Sequence, residues 1–274
     1  WYNAFNNSRD GITIKYNPLG QVEWVDLMST TGNRYEEARD IVIDANQQAI
    51  ICGFIYDTST AGGLNVFVKK YTTSGLEDWM QTYTNPSFLG GDKGEVIRIA
   101  SNGNIIVGGQ SANGTITSTD VLALSYSPTG VQQWATIYSD STTTFDEQFY
   151  SMALDPSGNV YIAGTDFLHQ LVYRIDANGS MAWRKSWSSP VNNFNTIPFD
   201  IATDEVGGIY TVGKGIYPGP NHFGNGGLDN LNVVKYSAAG DSLWTYRLTS
   251  NTDVSIGFSI YVHDGKVYAG GFKA

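Results

Sequence analysis

Two short phrases alternate five times along this chain, and a repeat of that kind leaves few architectures open. The first phrase is Tyr, three residues, Gly, three residues, Trp. It runs Tyr16–Gly20–Trp24, Tyr71–Gly75–Trp79 and Tyr126–Gly130–Trp134, then Ile175–Gly179–Trp183 and Tyr236–Gly240–Trp244. The second is a turn, usually opened by Asp, followed by an apolar run that closes on Gly: Asp44–Gly53, Ala100–Gly109, Asp155–Gly164, Asp204–Gly213 and Val262–Gly271. Successive Trp residues lie 55, 55, 49 and 61 positions apart.

Each repeat resolves into four short strands rich in β-branched and aromatic residues, separated by Gly, Asn and Pro turns that suit tight hairpins. No stretch carries a 3.6-residue period. Tandem four-stranded antiparallel units of this length predict an all-β fold, a β-propeller of five blades. The recurring Trp is expected to seal the gap between neighbouring blades. The chain opens on strands three and four of a repeat and ends on strands one and two. From Gly271 around to Tyr16 is 19 residues, against 18, 17, 11 and 23 for the same interval inside the chain. Residues 1–28 are therefore expected to complete the blade of residues 257–274, giving one domain over 1–274 and no open sheet edges.

The quoted phrases, above all KYNPLGQVEW, KYTTSGLEDW, VKYSAAGDSLW and DPSGNVYIAG, resemble the SBBP family of bacterial β-propeller repeats over essentially the whole chain. That resemblance implies a secreted or surface-displayed, non-catalytic module, often part of a larger protein. Ala100 and Val262 stand where the turn Asp is usual, and Ile175 stands in the Tyr position.

Composition narrows the partners. Aromatic residues at 13% and apolar residues at 41% exclude a disordered chain. A net charge of −10 repels phosphate backbones, so no nucleic-acid partner is expected. Cys52 is the single cysteine, which excludes a disulfide framework and a cysteine zinc site. No apolar run reaches the ~18 residues of a membrane-spanning helix. The chain begins at Trp1 without Met, and is expected to be a mature or excised piece of something longer.

In such a fold the 4–1 and 2–3 connections share one face, and here they are the long and variable ones. They hold 14 acids and 6 bases, against 12 acids and 10 bases in the rest of the chain. Variable loops on a rigid scaffold are where binding sites arise. This face is the expected ligand site, with protein or carbohydrate as the partner and a divalent cation as a further possibility. No cofactor is expected. Two-residue alternation on the innermost strands selects Asp40, Arg98, Ser151 and Asp200 as side chains aimed at the central channel. Counting from each repeat Gly puts Phe258 in the same row as Asp40. The longest connection, residues 214–232, adds Tyr217, His222 and Phe223. The turn residues Asp44, Asp155, Asp204 and Asp264 lack the ligand spacing of a calcium loop and read as ordinary turn residues. His169, His222 and His263 fall in different repeats, and no Gly-x-Ser-x-Gly elbow is present.

The reading that follows is a non-catalytic binding, adhesion or scaffold module, secreted or on the cell surface, acting through the acidic face and not as an enzyme. Two alternatives stand beside it: a carbohydrate-active hydrolase using channel-mouth carboxylates such as Asp40 and Asp200, and a structural spacer in a larger surface protein.

Overall fold

The structure is a computed structural model that describes residues 2–3, 8–28, 35–57, 63–88, 91–112, 119–138, 146–166, 168–188, 196–217, 228–248 and 253–274. The chain divides into two compact units, Trp1–Ile137 and Tyr138–Ala274.

The first unit opens with a small hairpin of β1 (Tyr2–Asn3) and β2 (Ser8–Arg9), followed by β3 (Gly11–Tyr16) paired with β4 (Val22–Met28). Two four-stranded antiparallel sheets come next. One is β5 (Glu36–Ile43), β6 (Ala49–Asp57), β7 (Gly63–Tyr71) and β8 (Glu77–Tyr83). The other is β9 (Lys93–Ile99), β10 (Ile105–Ala112), β11 (Thr119–Tyr126) and β12 (Gln132–Tyr138). In the second unit β13 (Gln148–Leu154), β14 (Val160–Thr165), β15 (Gln170–Ile175) and β16 (Met181–Trp187) form one sheet. A second sheet is β17 (Thr196–Thr203), β18 (Ile209–Tyr217), β19 (Leu228–Tyr236) and β20 (Ser242–Arg247), and β21 (Ser255–His263) pairs with β22 (Lys266–Lys273). The strand assignments of the repeats hold throughout. No helix occurs among the described residues.

Cores form where one sheet packs on the next. In the first unit Ile50, Cys52, Val66 and Val68 of one sheet meet Ile97, Ile105, Val107, Leu122, Leu124 and Tyr126 of the other. Burial drives the Cys52 thiol far above its usual range, so it behaves as a small apolar group. In the second unit Tyr161, Ala163 and Val172 meet Ile201, Ile209, Val234 and Tyr236. Each fully buried side chain of this size contributes roughly 1.5–3 kcal/mol.

The repeat Trp residues act as expected in three places. Trp24 stacks on Tyr71 at 5.3 Å, and the indole nitrogens of Trp79 and Trp183 donate to the carbonyls of Pro128 and Ala238, both at 3.2 Å. Gly130 sits under the Trp79 ring with φ of 82°, and a Cβ there would lie 2.7 Å from the indole. Each Trp thus seats on the Gly-containing turn of the following sheet.

The Gly that closes the second phrase has a different role. Opposite it the inner strand bulges: Gly53 pairs with Ala38 and Cys52 with Asp40, so Arg39 is skipped. The same skip omits Glu95, Tyr150, Phe199 and Phe258 opposite Gly109, Gly164, Gly213 and Gly271. A Cβ on Gly53 would lie 1.9 Å from the Glu37 carbonyl oxygen, and one on Gly213 would lie 1.9 Å from that of Ile197. The repeat therefore requires Gly for close backbone approach at a β-bulge.

Candidate functional site

The bulge redirects the side chains at the variable-face end of every inner strand, and it corrects the simple alternation expected there. The row is set by Arg39 and Glu95 in the first unit and by Tyr150, Phe199 and Phe258 in the second. Phe258 belongs with Arg39 rather than with Asp40, because the 263–266 hairpin is one residue shorter than its counterparts; Ser259 is the true equivalent of Asp40.

Asp40 and Asp200 bind backbone. Asp40 Oδ2 accepts from the Ile97 amide at 3.0 Å and from Arg98 at 2.8 Å, while Oδ1 accepts from Ile41. Asp200 Oδ1 accepts from Ser151 Oγ at 2.8 Å and from the Ile201 amide, and Oδ2 accepts from the Ile260 amide at 2.8 Å. Each carboxylate fastens its strand to the next inner strand. The structure thus unites Asp40 with Arg98 in the first unit, and Ser151 with Asp200 in the second. Tyr217 ends β18, and His222 and Phe223 lie outside the described residues. Asp44, Asp155 and Asp204 each accept from the amides two and four positions on, as turn residues do.

Five of the fourteen acids in the variable loops are not free surface charge. Glu36, Asp92, Asp120, Glu147 and Asp166 are buried. Asp92 accepts from the Asn85 amide and Ser111 Oγ, both at 2.7 Å, and burial raises its carboxyl. Asp166 caps its loop and faces His169 Nδ1 at 3.0 Å, with Arg184 3.8 Å from both Asp166 and Glu147. Among the described residues no group of three or more His, Cys, Asp or Glu side chains is placed to hold a metal.

Open chemistry sits in the first unit. A cleft of about 440 Å³ is walled by Arg9, Asp10, Gly11, Ile12, Glu36, Glu37 and Ala38. At its rim Arg39 donates to Glu37 through Nη1 and to Glu95 through Nε, the latter at 2.6 Å. Tyr35 donates to Glu37 Oε2 at 3.1 Å and accepts from Arg9, which also lies 3.5 Å from the same carboxylate. The Tyr35 ring lies parallel to Phe54 at 5.8 Å, with the Arg9 guanidinium 4.9 Å from its centroid. Partial burial works against ionisation of Glu37. The hydrogen bonds from Tyr35 and Arg39, with the charges of Arg39 and Arg9, outweigh it and hold the carboxyl below its usual range. Tyr35 moves the other way, raised by burial and by its bond to Glu37. The result is an ionised carboxylate beside a protonated phenol at the edge of an open cleft. A strict two-residue alternation does not select Glu37, Arg39 and Glu95, because the strands bulge there; the repeated Gly is the signal of the bulge.

No protein-family model matches the chain, and no curated protein does. Solved structures do. The periplasmic gluconolactonase of Pseudomonas aeruginosa superposes on 94% of this chain and 71% of its own, with a TM-score of 0.52 at 13% identity. A protein from Lactobacillus plantarum matches 85% of this chain with a TM-score of 0.50 at 14% identity; the chain spans 63% of that protein's length. The fold is of the β-propeller type. At these identities the likeness is one of fold, and an enzyme is among the proteins that share it. The expected non-catalytic binding or scaffold module is corrected on this point: an enzyme is built on the same scaffold over nearly the whole chain, so the repeats do not mark a protein without catalysis.

Proposed function

We propose that this chain is an exported β-propeller hydrolase acting on carbohydrate, with the cleft beside Glu37 as its active site. The observation that carries this reading is Glu37 itself, an ionised carboxylate fixed by Tyr35 and Arg39 at the rim of an open cleft whose wall also holds Asp10 and Glu36. Glycoside hydrolysis asks for two carboxyl groups about a substrate-sized space, one of them able to accept a proton or attack carbon. The gluconolactonase fold supports an enzyme on this scaffold and export from the cytoplasm. The resemblance of the repeated phrases to the SBBP family favours the same location.

The proposal includes five blades, one for each copy of the two alternating phrases.

The test is a panel of aryl glycosides and sugar lactones assayed with the protein and with Glu37→Gln. Turnover of at least one substrate that falls about 100-fold or more in Glu37→Gln is expected. Absence of turnover across the panel, or full activity in Glu37→Gln, overturns the reading.

A further inference from the structure

We propose that the pocket where β3 meets β5 is a binding site for a compact, neutral, largely hydrocarbon molecule with one carbonyl oxygen, and that the indole N–H of Trp24 is its hydrogen-bond donor. The pocket shares no residue with the cleft beside Glu37, so the site does not rest on the hydrolase reading. It encloses about 250 Å³, and its apolar lining is Ile14, Trp24, Ile41, Ile43 and Ala49. Ile41 and Ile43 stand two apart on β5 and so share one face of the strand.

Trp24 supplies the specific contact. The indole nitrogens of Trp79 and Trp183 each donate to a carbonyl of the turn they seat on, Pro128 and Ala238, at 3.2 Å. Thr73 holds the equivalent place for Trp24. Its carbonyl receives Lys15 Nζ at 3.5 Å, while Trp24 Nε1 is buried and has no hydrogen-bond partner. The lysine alone does not displace the indole, because the Pro128 carbonyl takes both Trp79 and Lys70, the latter at 3.3 Å. Trp24 is held instead by its stack on Tyr71, at 5.3 Å and 30°. A buried donor left without an acceptor is costly, and a carbonyl oxygen brought in by a ligand removes that cost.

The lining sets the rest of the ligand. Ile14, Ile41 and Ile43 are 36%, 50% and 54% exposed, so apolar surface stands in water until a ligand covers it. Lys15 is the only charged residue of the lining, and it pairs with Glu23 at 2.8 Å. A charged ligand would therefore find no unpaired counter-charge there, and a neutral one needs none. The volume lies below the roughly 300–1,000 Å³ of drug-sized sites, which limits the ligand to a compact body. Because the indole is a donor only, the polar atom of the ligand is an acceptor, and a carbonyl oxygen asks for nothing further.

The experiment titrates the isotope-labelled full chain, followed by NMR, with camphor, a compact neutral ketone, and with camphane, the same cage without the oxygen. The Trp24 indole resonance is assigned by its loss in Trp24→Phe. Camphor should move that resonance and bind about 5-fold more tightly than camphane, whereas in Trp24→Phe the two should bind alike. Ile43→Asp, at an exposed position, should weaken both by about 10-fold or more with the urea midpoint nearly unchanged. A Trp24 resonance unmoved by camphor up to its solubility limit would mean that water alone meets the indole, and overturns the site. Equal affinity of the parent protein for camphor and camphane, or camphor affinity unchanged in Ile43→Asp, overturns it as well.

Discussion

The same backbone position carries opposite chemistry in the two units. At the bulge opposite the repeat Gly, the first unit holds Arg39 and Glu95, joined by an ion pair at 2.6 Å. The second unit holds Tyr150, Phe199 and Phe258, whose rings meet in file at 5.6 and 5.4 Å. The bulge is identical in pairing, so what differs is only the side chain each repeat hangs on it. A bulge re-aims one residue per strand and takes it out of the alternation. That residue contributes nothing to the ladder and is free to vary, which is how one scaffold repeat builds a charged rim in one unit and an aromatic file in the other.

The comparison can be broken most completely by removing the bulge. Gly213→Ala places a Cβ 1.9 Å from the Ile197 carbonyl oxygen, with backbone on both sides of the clash. A loss of more than about 3 kcal/mol in urea unfolding, or failure to accumulate folded protein, is expected. Gly164→Ala meets the Gln148 carbonyl oxygen at 2.7 Å and should cost less. Equal stability of both variants and the parent would mean that the Gly is not there for the bulge.

A second test concerns the residue that follows each Asp40-type position. Ile97→Asp buries a charge in a packed core and should cost several kcal/mol. Ile41 holds the equivalent place on β5 but is 50% exposed, so Ile41→Asp should cost under about 0.5 kcal/mol. Equal costs in the two variants would show that the Ile41 position is covered.

The smallest effects separate the two rims themselves. Phe199→Ala loses ring contacts on both sides and should destabilise the protein by about 1–3 kcal/mol while leaving turnover at Glu37 unchanged. Arg39→Ala removes exposed ion pairs that contribute about 1 kcal/mol or less. Its mark should instead be functional: without the guanidinium the Glu37 carboxyl rises, so the acid limb of the pH–activity profile moves to higher pH. An unmoved acid limb would show that Arg39 has no hold on Glu37.

Much of the fold was legible because it is written as spacing. The Tyr, Gly and Trp of the first phrase mark the third strand, its turn and the fourth strand in every repeat, and all these strands formed where their β-branched runs lie. The seating of Trp79 and Trp183 on the following turn was legible for the same reason, since a large ring recurring at one place needs one recurring partner. The site was legible only in part. Asp40, Arg98, Ser151 and Asp200 stand on the inner strands as the alternation required, but their polar atoms fasten one strand to the next. Phe258 was misplaced by one hairpin residue, and Tyr35, Glu37, Arg39 and Glu95 were passed over because a period of two cannot register a skipped residue.

By itself the sequence determined the repeat length, the strands, the turns and the all-β class, since each depends on local propensity and on patterns a few residues long. Tertiary structure decided which loop acids are buried and which face solvent, and which carboxylate stands ionised beside a cleft. Burial and pairing depend on groups brought together from distant parts of the chain, as Arg39 is brought to Glu95 and Arg9 to Tyr35. The electrostatics of Glu37 exist only once those guanidinium groups arrive.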